Sequence, residues 1–240
     1  MSFRFKQFYI EDSKCAMKVG TDGVLLGAWA RPTPAPSLKG RVFQILDVGT
    51  GSGLIARMLM QRFPEAEVEG IDIDEAAVEQ AKENGVNAFL SRLQDWQGEP
   101  YDLIVSNPPY FQNSLKNPDA GRSTARHTDT LSYAELIHHS ARLLTMNGQL
   151  ALILPAEAEM EVRGLAAAEM LALARVTRVY SKEGKAAKRT LMAFEKFKIH
   201  NAQFKIHNAQ FKILEDVLVL EDEKGGRSAA YQELTKDFYL

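Results

Sequence analysis

The chain has 240 residues, a formal net charge of −2 and 45% hydrophobic residues. This composition excludes an intrinsically disordered chain, and the length suits one α/β domain with a sizeable core. The single cysteine, Cys15, rules out an internal disulfide, so we expect a reducing, cytoplasmic setting. No apolar run reaches the length of a membrane span, and we expect no membrane partner.

The first predicted unit is an apolar strand that runs into a glycine-rich turn and then into a helix. The turn contains Asp47, Gly49, Gly51 and Gly53. Glycine lets the backbone turn sharply and approach a ligand, which the following helix N-terminus then faces. The spacing departs from the G-x-G-x-x-G of dinucleotide-binding loops, because Leu54 stands where the third glycine is expected. Since Asp47 fits an ammonium group better than a pyrophosphate, NAD binding is the weaker interpretation.

The next two strands are each predicted to lead to an acidic residue. Strand 67–72 ends at Asp72, about 20 residues past the glycines, where a partner for a ribose hydroxyl is expected. Strand 86–91 leads to Asp95 and Trp96, and the carboxylate suits an adenine amino group. A helix cap or a solvated loop acid is the alternative for each, but their matching positions favour a ligand.

The fourth strand of this series, 101–106, runs into Asn107, Pro108, Pro109 and Tyr110. The prolines fix φ and lack an N–H, so backbone carbonyls here stay free to face a ligand. Asparagine supplies a neutral acceptor, and tyrosine supplies a flat face for a planar group. This loop suits a flat amine-bearing group, such as adenine or an amide. A proline-stiffened turn is the plain alternative, which the glycine loop upstream makes less probable.

The rest of the chain continues the alternation of strands and helices. The pattern predicts a helix over 75–82 capped by Asp74, a helix over 131–144, a strand over 149–154, a helix over 156–173, and strands over 176–180 and 190–194. Such alternation predicts a mostly parallel sheet with helices on both faces. We expect a single domain, 1–240, made of an N-terminal segment 1–40, a catalytic core 41–195, an insertion 196–213 and a C-terminal extension 214–240.

The insertion contains a tandem repeat, because residues 197–203 recur letter for letter at 204–210. A repeat of odd length changes faces of a strand at each copy, so both copies cannot bury the same side chains. We therefore expect a weakly ordered surface loop or hairpin. His200 and His207 have no carboxylate or cysteine beside them, and we expect no metal site.

Charge is distributed unevenly along the chain. Residues 41–174 hold ten basic residues against nineteen acidic ones, whereas residues 175–213 hold ten against two. An acidic middle flanked by basic segments suits an enzyme that contacts phosphates around its cofactor pocket, although a solvated basic loop is the alternative. The candidate phosphate contacts are Lys14, Lys18, Lys182, Lys185, Lys188 and Arg189.

Together, these features resemble a known family. The glycine loop, the two acids and the NPPY tetrapeptide resemble class I S-adenosylmethionine-dependent methyltransferases that act on amino groups. Residues 8–29, 125–127 and 237–240 further resemble bacterial tRNA(Val) adenine-N6 methyltransferases, and the likeness covers nearly the whole chain. It implies a Rossmann-like, mostly parallel seven-stranded sheet with an antiparallel terminal strand. It also implies S-adenosylmethionine as cofactor and N6-methylation of the adenine immediately 3′ of the anticodon in a tRNA.

The resemblance also implies which residues do what. The adenine-binding group is Asn107, Pro108, Pro109 and Tyr110, with Phe111 as a stacking helper. The cofactor-binding group is Thr21, Asp22, Asp47, Gly49, Gly51, Gly53, Asp72, Asp95, Trp96 and Asn107. Arg126 and His127 are candidates to clamp the RNA backbone, with a loop salt bridge as the alternative.

Other functions fit parts of the sequence. The same tetrapeptide can hold a glutamine side chain, but glutamine methyltransferases of this kind carry an extra N-terminal helical domain, and only about 40 residues precede the glycine strand. A DNA adenine methyltransferase normally has a separate target-recognition region, so we expect no DNA partner. A non-catalytic cofactor-binding or RNA-binding module is less compatible with the intact motifs. We favour a monomer.

Overall fold

The computed structural model describes residues 2–32, 42–109, 131–196 and 213–239. The strands are β1 (Ser2–Arg4), β2 (Tyr9–Glu11), β3 (Gln44–Val48), β4 (Glu67–Asp72), β5 (Asn87–Leu90), β6 (Tyr101–Ser106), β7 (Leu144–Pro155), β8 (Leu171–Tyr180), β9 (Ala187–Lys196) and β10 (Leu214–Val219). The helices are α1 (Thr21–Trp29), α2 (Leu54–Arg62), α3 (Glu75–Glu83), α4 (Tyr133–Leu143), a 3-10 helix (Ala156–Ala158), α5 (Glu159–Ala168) and α6 (Ala229–Thr235). No helix among these residues is long and apolar enough to cross a membrane.

Eight strands form the main sheet in the order β10-β8-β9-β7-β6-β3-β4-β5, while β1 and β2 form a separate antiparallel pair. Among the strands of the described residues, only β9 runs antiparallel to its neighbours in the main sheet, and it lies between β7 and β8. The predicted mostly parallel sheet with an antiparallel strand is therefore confirmed. The predicted number of seven strands is too low by one, because β10 adds to the outer edge of β8. Sequence reasoning had placed these residues in an extension.

The core is built on both faces of the sheet, with β6 at its centre. Every residue of β6 is buried, as expected for a parallel strand covered by helices on both sides. Because successive side chains alternate, Leu103 and Val105 join one cluster with Leu59 of α2. Ile104 joins the opposite cluster with Leu136 of α4.

Two helix starts are capped by side chains, and the cap at Asp74 is the one that the sequence predicts. The Asp74 carboxylate accepts a hydrogen bond from the Ala76 amide at 3.0 Å, and α3 begins directly after it. Ser132 and Glu135 form a reciprocal capping box at the start of α4. These local contacts satisfy amide groups that have no partner within the helix, which is why the start of α3 could be predicted from the sequence. The helix predicted from 131 starts two residues later, at Tyr133.

The boundary between α4 and β7 differs from the prediction. A turn was expected at Asn147, with the strand starting at 149, but β7 already starts at Leu144. Leu144 pairs with Tyr101, and the register then shifts before the regular pairing with β6 resumes. Asn147 has φ of 69°, a left-handed conformation that asparagine tolerates better than most residues. The predicted turn is a bulge inside the strand.

The helix predicted over 156–173 is too long. The α5 helix ends at Ala168, Met170 has φ of 60°, and β8 starts at Leu171. The first part of β8 pairs with the far end of β9, from Leu171 opposite Lys196. Pairing with a neighbouring strand here overrides the helix propensity of an alanine-rich and leucine-rich sequence. The predicted antiparallel pairing of these last two strands is confirmed.

The N-terminal segment packs against the other end of the described chain. Phe5 and Phe8 share a buried cluster with Val24 of α1 and with Phe238. The Lys6 backbone amide donates to the Phe238 carbonyl at 2.8 Å. With Leu54 and Met58 in the same cluster, these contacts anchor the strand pair and α1 against α2 and residue Phe238. The repeat copies lie outside the described residues, so the expectation of weak order there stays a prediction.

Candidate active site

The carboxyl ends of β3, β4 and β6 meet at one edge of the sheet, and a cavity of about 730 Å³ opens there. This volume lies within the usual range of small-molecule sites. The lining residues that the sequence had singled out are Lys18, Thr21, Asp22, Gly49, Gly51, Asp72, Asn107, Pro108 and Pro109. A hollow of about 920 Å³ along α6 contains none of the predicted residues. The cavity at the strand ends therefore joins the glycine loop and the tetrapeptide in one place.

The glycine loop leaves open space above its backbone. Gly51 has φ of 55°, and a Cβ built on it meets no other described residue within 4 Å. Its amide donates to the Asp72 carboxylate at 2.9 Å, so β4 holds the loop in this shape. A ligand can thus approach the peptide backbone at Gly51 closely, as the sequence predicts.

Gly53 serves packing instead of the cavity. It has φ of 79°, and a Cβ there would come within 2.7 Å of the Val86 side chain. Because it precedes α2 and does not line the cavity, its role is to let α2 pack against the residues before β5. Direct cofactor contact by Gly53 stays a prediction.

Asp47 lies underneath the glycine loop and is fully buried. One carboxylate oxygen accepts hydrogen bonds from the Thr50 hydroxyl at 2.9 Å and the Ala56 amide at 3.2 Å. The other oxygen has no hydrogen-bond partner among the described residues. Burial raises the pKa of Asp47 to about 7. Asp47 therefore organises the loop and the start of α2, while its predicted pairing with a ligand ammonium stays a prediction.

Asp72 lies at the end of β4 on the cavity wall. One of its carboxylate oxygens accepts from Gly51, and the other accepts from the Asp74 amide at 3.0 Å. The position suits a ribose hydroxyl, in line with the prediction. Ile73, which sequence reasoning missed, also lines the cavity and is 58% exposed. An apolar residue between a strand end and a helix cap could have been recognised in the sequence as a candidate for the cavity wall.

The structure does not bring Asp95 and Trp96 to the cavity wall. The Trp96 indole donates to the Tyr101 hydroxyl at 2.8 Å, and its ring lies 5.2 Å from that of Phe89. Trp96 therefore packs beside the sheet. The neighbouring residues Leu93 and Gln94, which the sequence analysis did not select, line the cavity instead. Cofactor contact by Asp95 and Trp96 stays a prediction without support from their position.

Asn107, Pro108 and Pro109 form the part of the cavity wall at the end of β6. Just before them, the Ser106 hydroxyl donates to the Val48 carbonyl at 2.9 Å, which ties β6 to β3. The Asn107 side-chain amide contacts the Met17 sulfur at 3.8 Å. The amide thus sits at the cavity with a fixed backbone behind it. Tyr110, Phe111, Arg126 and His127 lie outside the described residues.

The start of α1 forms the opposite wall through Thr21 and Asp22. Asp22 pairs with Arg189 of β9, with 2.9 Å between carboxylate oxygen and guanidinium nitrogen. Since the two side chains are 25% and 31% exposed, solvent screens part of this attraction. The pair links the cavity wall to the β8–β9 hairpin. Arg189 therefore already has an acidic partner, and its predicted contact with RNA phosphate stays a prediction.

The other predicted phosphate contacts fall in two places. Lys14 forms ion pairs with Glu83 at 2.7 Å and Glu79 at 3.5 Å. The Lys18 ammonium donates to backbone carbonyls of Asp12 and Ser13, so both lysines stabilise the N-terminal segment. The remaining three, Lys182, Lys185 and Lys188, are exposed in or beside the β8–β9 hairpin, and Lys182 pairs with Glu221 at 3.2 Å.

Comparison with known proteins settles the family. Residues 35–181 match the family described as the methyltransferase small domain. A tRNA1(Val) (adenine(37)-N6)-methyltransferase of Bacteroides fragilis is 42% identical over 250 residues, covering 99% of this chain and 97% of that protein. The enzyme of the same name from Aeromonas hydrophila is 38% identical over 247 residues, with 99% and 97% covered. The chain belongs to this family. The family membership predicted from the sequence is thus confirmed.

Solved structures agree with the family at the level of the fold. A predicted O-methyltransferase from Agrobacterium tumefaciens matches with a TM-score of 0.63 at 16% identity, over 90% of this chain and 96% of that one. The 16S rRNA N2 G1207 methyltransferase of T. thermophilus, solved with AdoMet and guanosine, matches with a TM-score of 0.55 at 20% identity. It covers 82% of this chain and 45% of that one.

The family is S-adenosylmethionine-dependent, and the residues of the cavity fit that cofactor. The open backbone at Gly51 leaves room for close approach, and the carboxylate of Asp72 lies where a ribose hydroxyl is expected. Ile73 and Leu93 supply apolar surface for a ring. Beneath the loop, Asp47 accepts from Thr50 and Ala56 and so keeps the loop in the shape that leaves this space.

Proposed function

We propose that this protein transfers a methyl group from S-adenosylmethionine to N6 of the adenine at position 37 of tRNA1(Val). The observation that carries this proposal is the single cavity shared by the glycine loop and the start of the NPPY tetrapeptide. A cofactor held on the loop and an amine held at Asn107 then lie within reach of each other. The names of the relatives, which share about two fifths of their residues with this chain, supply the substrate.

The tetrapeptide is proposed to make the adenine amine more reactive. The lone pair on N6 of adenine is delocalised into the ring, so the nitrogen is a poor nucleophile until it becomes more tetrahedral. Hydrogen bonds from the amine to the Asn107 side chain and to the Pro108 carbonyl favour that geometry as charge develops. Pro109 stiffens the loop, so the acceptors need little reorganisation. S-adenosylmethionine, when bound, supplies the methyl group on a positively charged sulfur.

No strong base is required in this site. The amine becomes acidic as it acquires its fourth substituent and can then release a proton to water. Asn107 does not take that proton, since an amide is a very weak base, and its task is to bind and orient the amine. Much of the rate enhancement therefore comes from positioning two reactants in one cavity. Tyr110 is proposed to stack on the adenine, as the sequence predicts.

The target adenine must leave the stack of the anticodon loop to enter the cavity. Exposed lysines beside the cavity offer contacts for the surrounding phosphates. Because β9 runs antiparallel, the β8–β9 hairpin projects from the same edge of the sheet as the tetrapeptide. Lys185 and Lys188 lie there, and the Arg189–Asp22 ion pair ties the hairpin to the cavity wall. Arg126 and His127 remain proposed RNA contacts.

The substrate is tested by following tritium from labelled cofactor into tRNA, DNA and a protein release factor. We expect label in tRNA alone, at N6 of the adenine 3′ of the anticodon. Label in the release factor would instead favour glutamine methylation, which the same tetrapeptide can support. A digest of tRNA from cells lacking this protein should show a missing N6-methyladenosine.

The role of the tetrapeptide is tested by Asn107→Ala. We expect the variant to lose transfer, because the amine loses its side-chain acceptor, while cofactor binding measured by calorimetry largely survives. Asn87→Ala is a suitable control, since the Asn87 side-chain amide also donates a hydrogen bond, to Glu69, but neither residue lines the cavity. Full activity of Asn107→Ala would contradict the assigned role.

We further propose one methyltransferase domain over 1–240, acting as a monomer in the cytoplasm. The continuous sheet from β5 to β10 supports one domain, and the free, buried Cys15 suits a reducing compartment. Separate domains would give two or more transitions in a denaturant titration, and that result would contradict the single domain. A dimer in light scattering would contradict the monomer.

A further inference from the structure

The turn formed by residues 12–19 is held by an unusual number of polar contacts. The fully buried Asp12 accepts from the Val19 amide at 3.0 Å. The Lys18 ammonium donates to the Asp12 carbonyl at 2.7 Å, which closes the turn on itself. Gln80 of α3, which is 1% exposed, accepts from both the Ser13 hydroxyl and the Lys14 amide at 3.3 Å. The turn is therefore fixed to the body of the protein.

This fixed turn presents one exposed apolar side chain to the cavity. Met17 lines the cavity and is 50% exposed. Its sulfur lies 3.8 Å from the side-chain nitrogen of Asn107. A planar group bound at the Asn107 side-chain amide therefore lies in the same part of the cavity as Met17. The neighbouring Lys18 also lines the cavity, but its ammonium group is turned back onto the carbonyls of Asp12 and Ser13.

We propose that Met17 forms a second face of the binding site for the target adenine, opposite the proline side of the tetrapeptide. This inference rests on the proposed function, since it assumes that Asn107 binds the amine of a nucleobase. A thioether suits the task because it is polarisable and makes favourable contacts with aromatic rings. The polar contacts of the turn hold the Met17 backbone in place before the base arrives, so less backbone freedom is lost on binding.

The exposure of Met17 distinguishes this role from a structural one. A methionine that served the core would be buried, as Met58 is in the cluster between α1 and α2. Removing the half-exposed Met17 side chain should cost little stability, because little apolar surface is buried by it. Its contact with Asn107 places it at the amine-binding end of the cavity, whereas the glycine loop binds the cofactor at the other end.

The test compares Met17→Ala with Met17→Leu and with Met160→Ala in the full-length protein. Met160 lies on α5, is 74% exposed and does not line the cavity, so it controls for loss of a surface methionine. We expect Met17→Ala to lower kcat/KM for tRNA by about two- to thirteenfold, the range given by sulfur–aromatic contacts. Met17→Leu should keep most of the activity, because it retains an apolar face.

Cofactor binding and thermal stability separate this role from the alternatives. We expect the Kd for S-adenosylmethionine and the Tm to stay at wild-type values in Met17→Ala. A raised cofactor Kd with unchanged KM for tRNA in Met17→Ala would overturn the proposal. So would wild-type kinetics of Met17→Ala in an assay where the wild-type protein is active. If the wild-type protein itself fails to methylate tRNA, the proposed function is wrong. If the wild type is active and Met17→Ala is equally active, only the role of Met17 is wrong.

Discussion

Replacing Gly51 by alanine separates the cost of a strained backbone from the loss of ligand space. Gly51 has φ of 55°, a conformation that disfavours residues with a Cβ by roughly 1–2 kcal/mol. The added methyl group meets no atom of another described residue within 4 Å, so no packing cost is added. We expect the Tm without ligand to fall by about 2–8 °C for a chain of this size.

The same methyl group points into the space that the cofactor is expected to fill. Forcing an extra methyl into a well-packed contact costs roughly 1–3 kcal/mol, which corresponds to an increase in Kd of about 5- to 150-fold. Isothermal titration with S-adenosylmethionine measures this change directly. The Gly51 amide and its hydrogen bond to Asp72 are retained in the variant, so the expected rise in Kd comes from the space that the methyl group occupies.

Gly225→Ala is a matched control for this experiment. Gly225 has φ of 82°, a Cβ there also meets nothing within 4 Å, and the residue does not line the cavity at the strand ends. It should lose a similar amount of stability and bind the cofactor with wild-type affinity. If Gly51→Ala also binds with wild-type affinity, the ligand does not lie over the glycine loop and the assignment of the cavity is refuted.

Two further predictions concern charge. Burial raises the pKa of Asp47 from an ordinary value of 3.8 to about 7, so this group should lower the free energy of unfolding as pH rises from about 4 to 7. The side chain in Asp47→Asn cannot ionise. In urea denaturation without cofactor, the free energy of unfolding of the variant should therefore rise relative to that of the wild type between about pH 4 and pH 7. A constant difference between the two proteins over this pH range would contradict the raised pKa of Asp47. On the hairpin, Lys188→Ala should weaken tRNA binding and reduce its salt dependence by about one ion, whereas Arg189→Ala should raise the cofactor Kd by about two- to fivefold by releasing Asp22. If both substitutions weaken tRNA binding equally and neither changes the cofactor Kd, the ion pair does not support the cavity wall.

The sequence predicted those parts of the fold that depend on local chemistry. The glycine loop, the cap at Asp74 and the buried β6 all follow from residue types at fixed spacings. The errors lie where distant pairing decides. The start of β8 at Leu171 depends on strand β9, and β10 depends on a free edge of β8. Neither partner is visible in a local pattern.

The candidate site shows the same division. Asp72 and Asn107 could be found because each follows a strand that ends at the same edge of the sheet. Trp96 was misleading, since an aromatic residue after a strand can equally pack on a neighbouring ring such as Phe89. Met17 could not be found, because its proximity to Asn107 depends on how the N-terminal segment folds over the strand ends.

That segment has a consequence for how the protein folds. The cavity wall with Met17 and Asp22 rests on a cluster that includes Phe238, and contacts such as Lys6 with Lys236 span 230 positions of the chain. Closing so long a loop loses entropy before its contacts form, so this wall should assemble late, after the central strands. A ligand that needs the finished wall stabilises the native state without speeding the earlier steps, and its main kinetic effect should be slower unfolding.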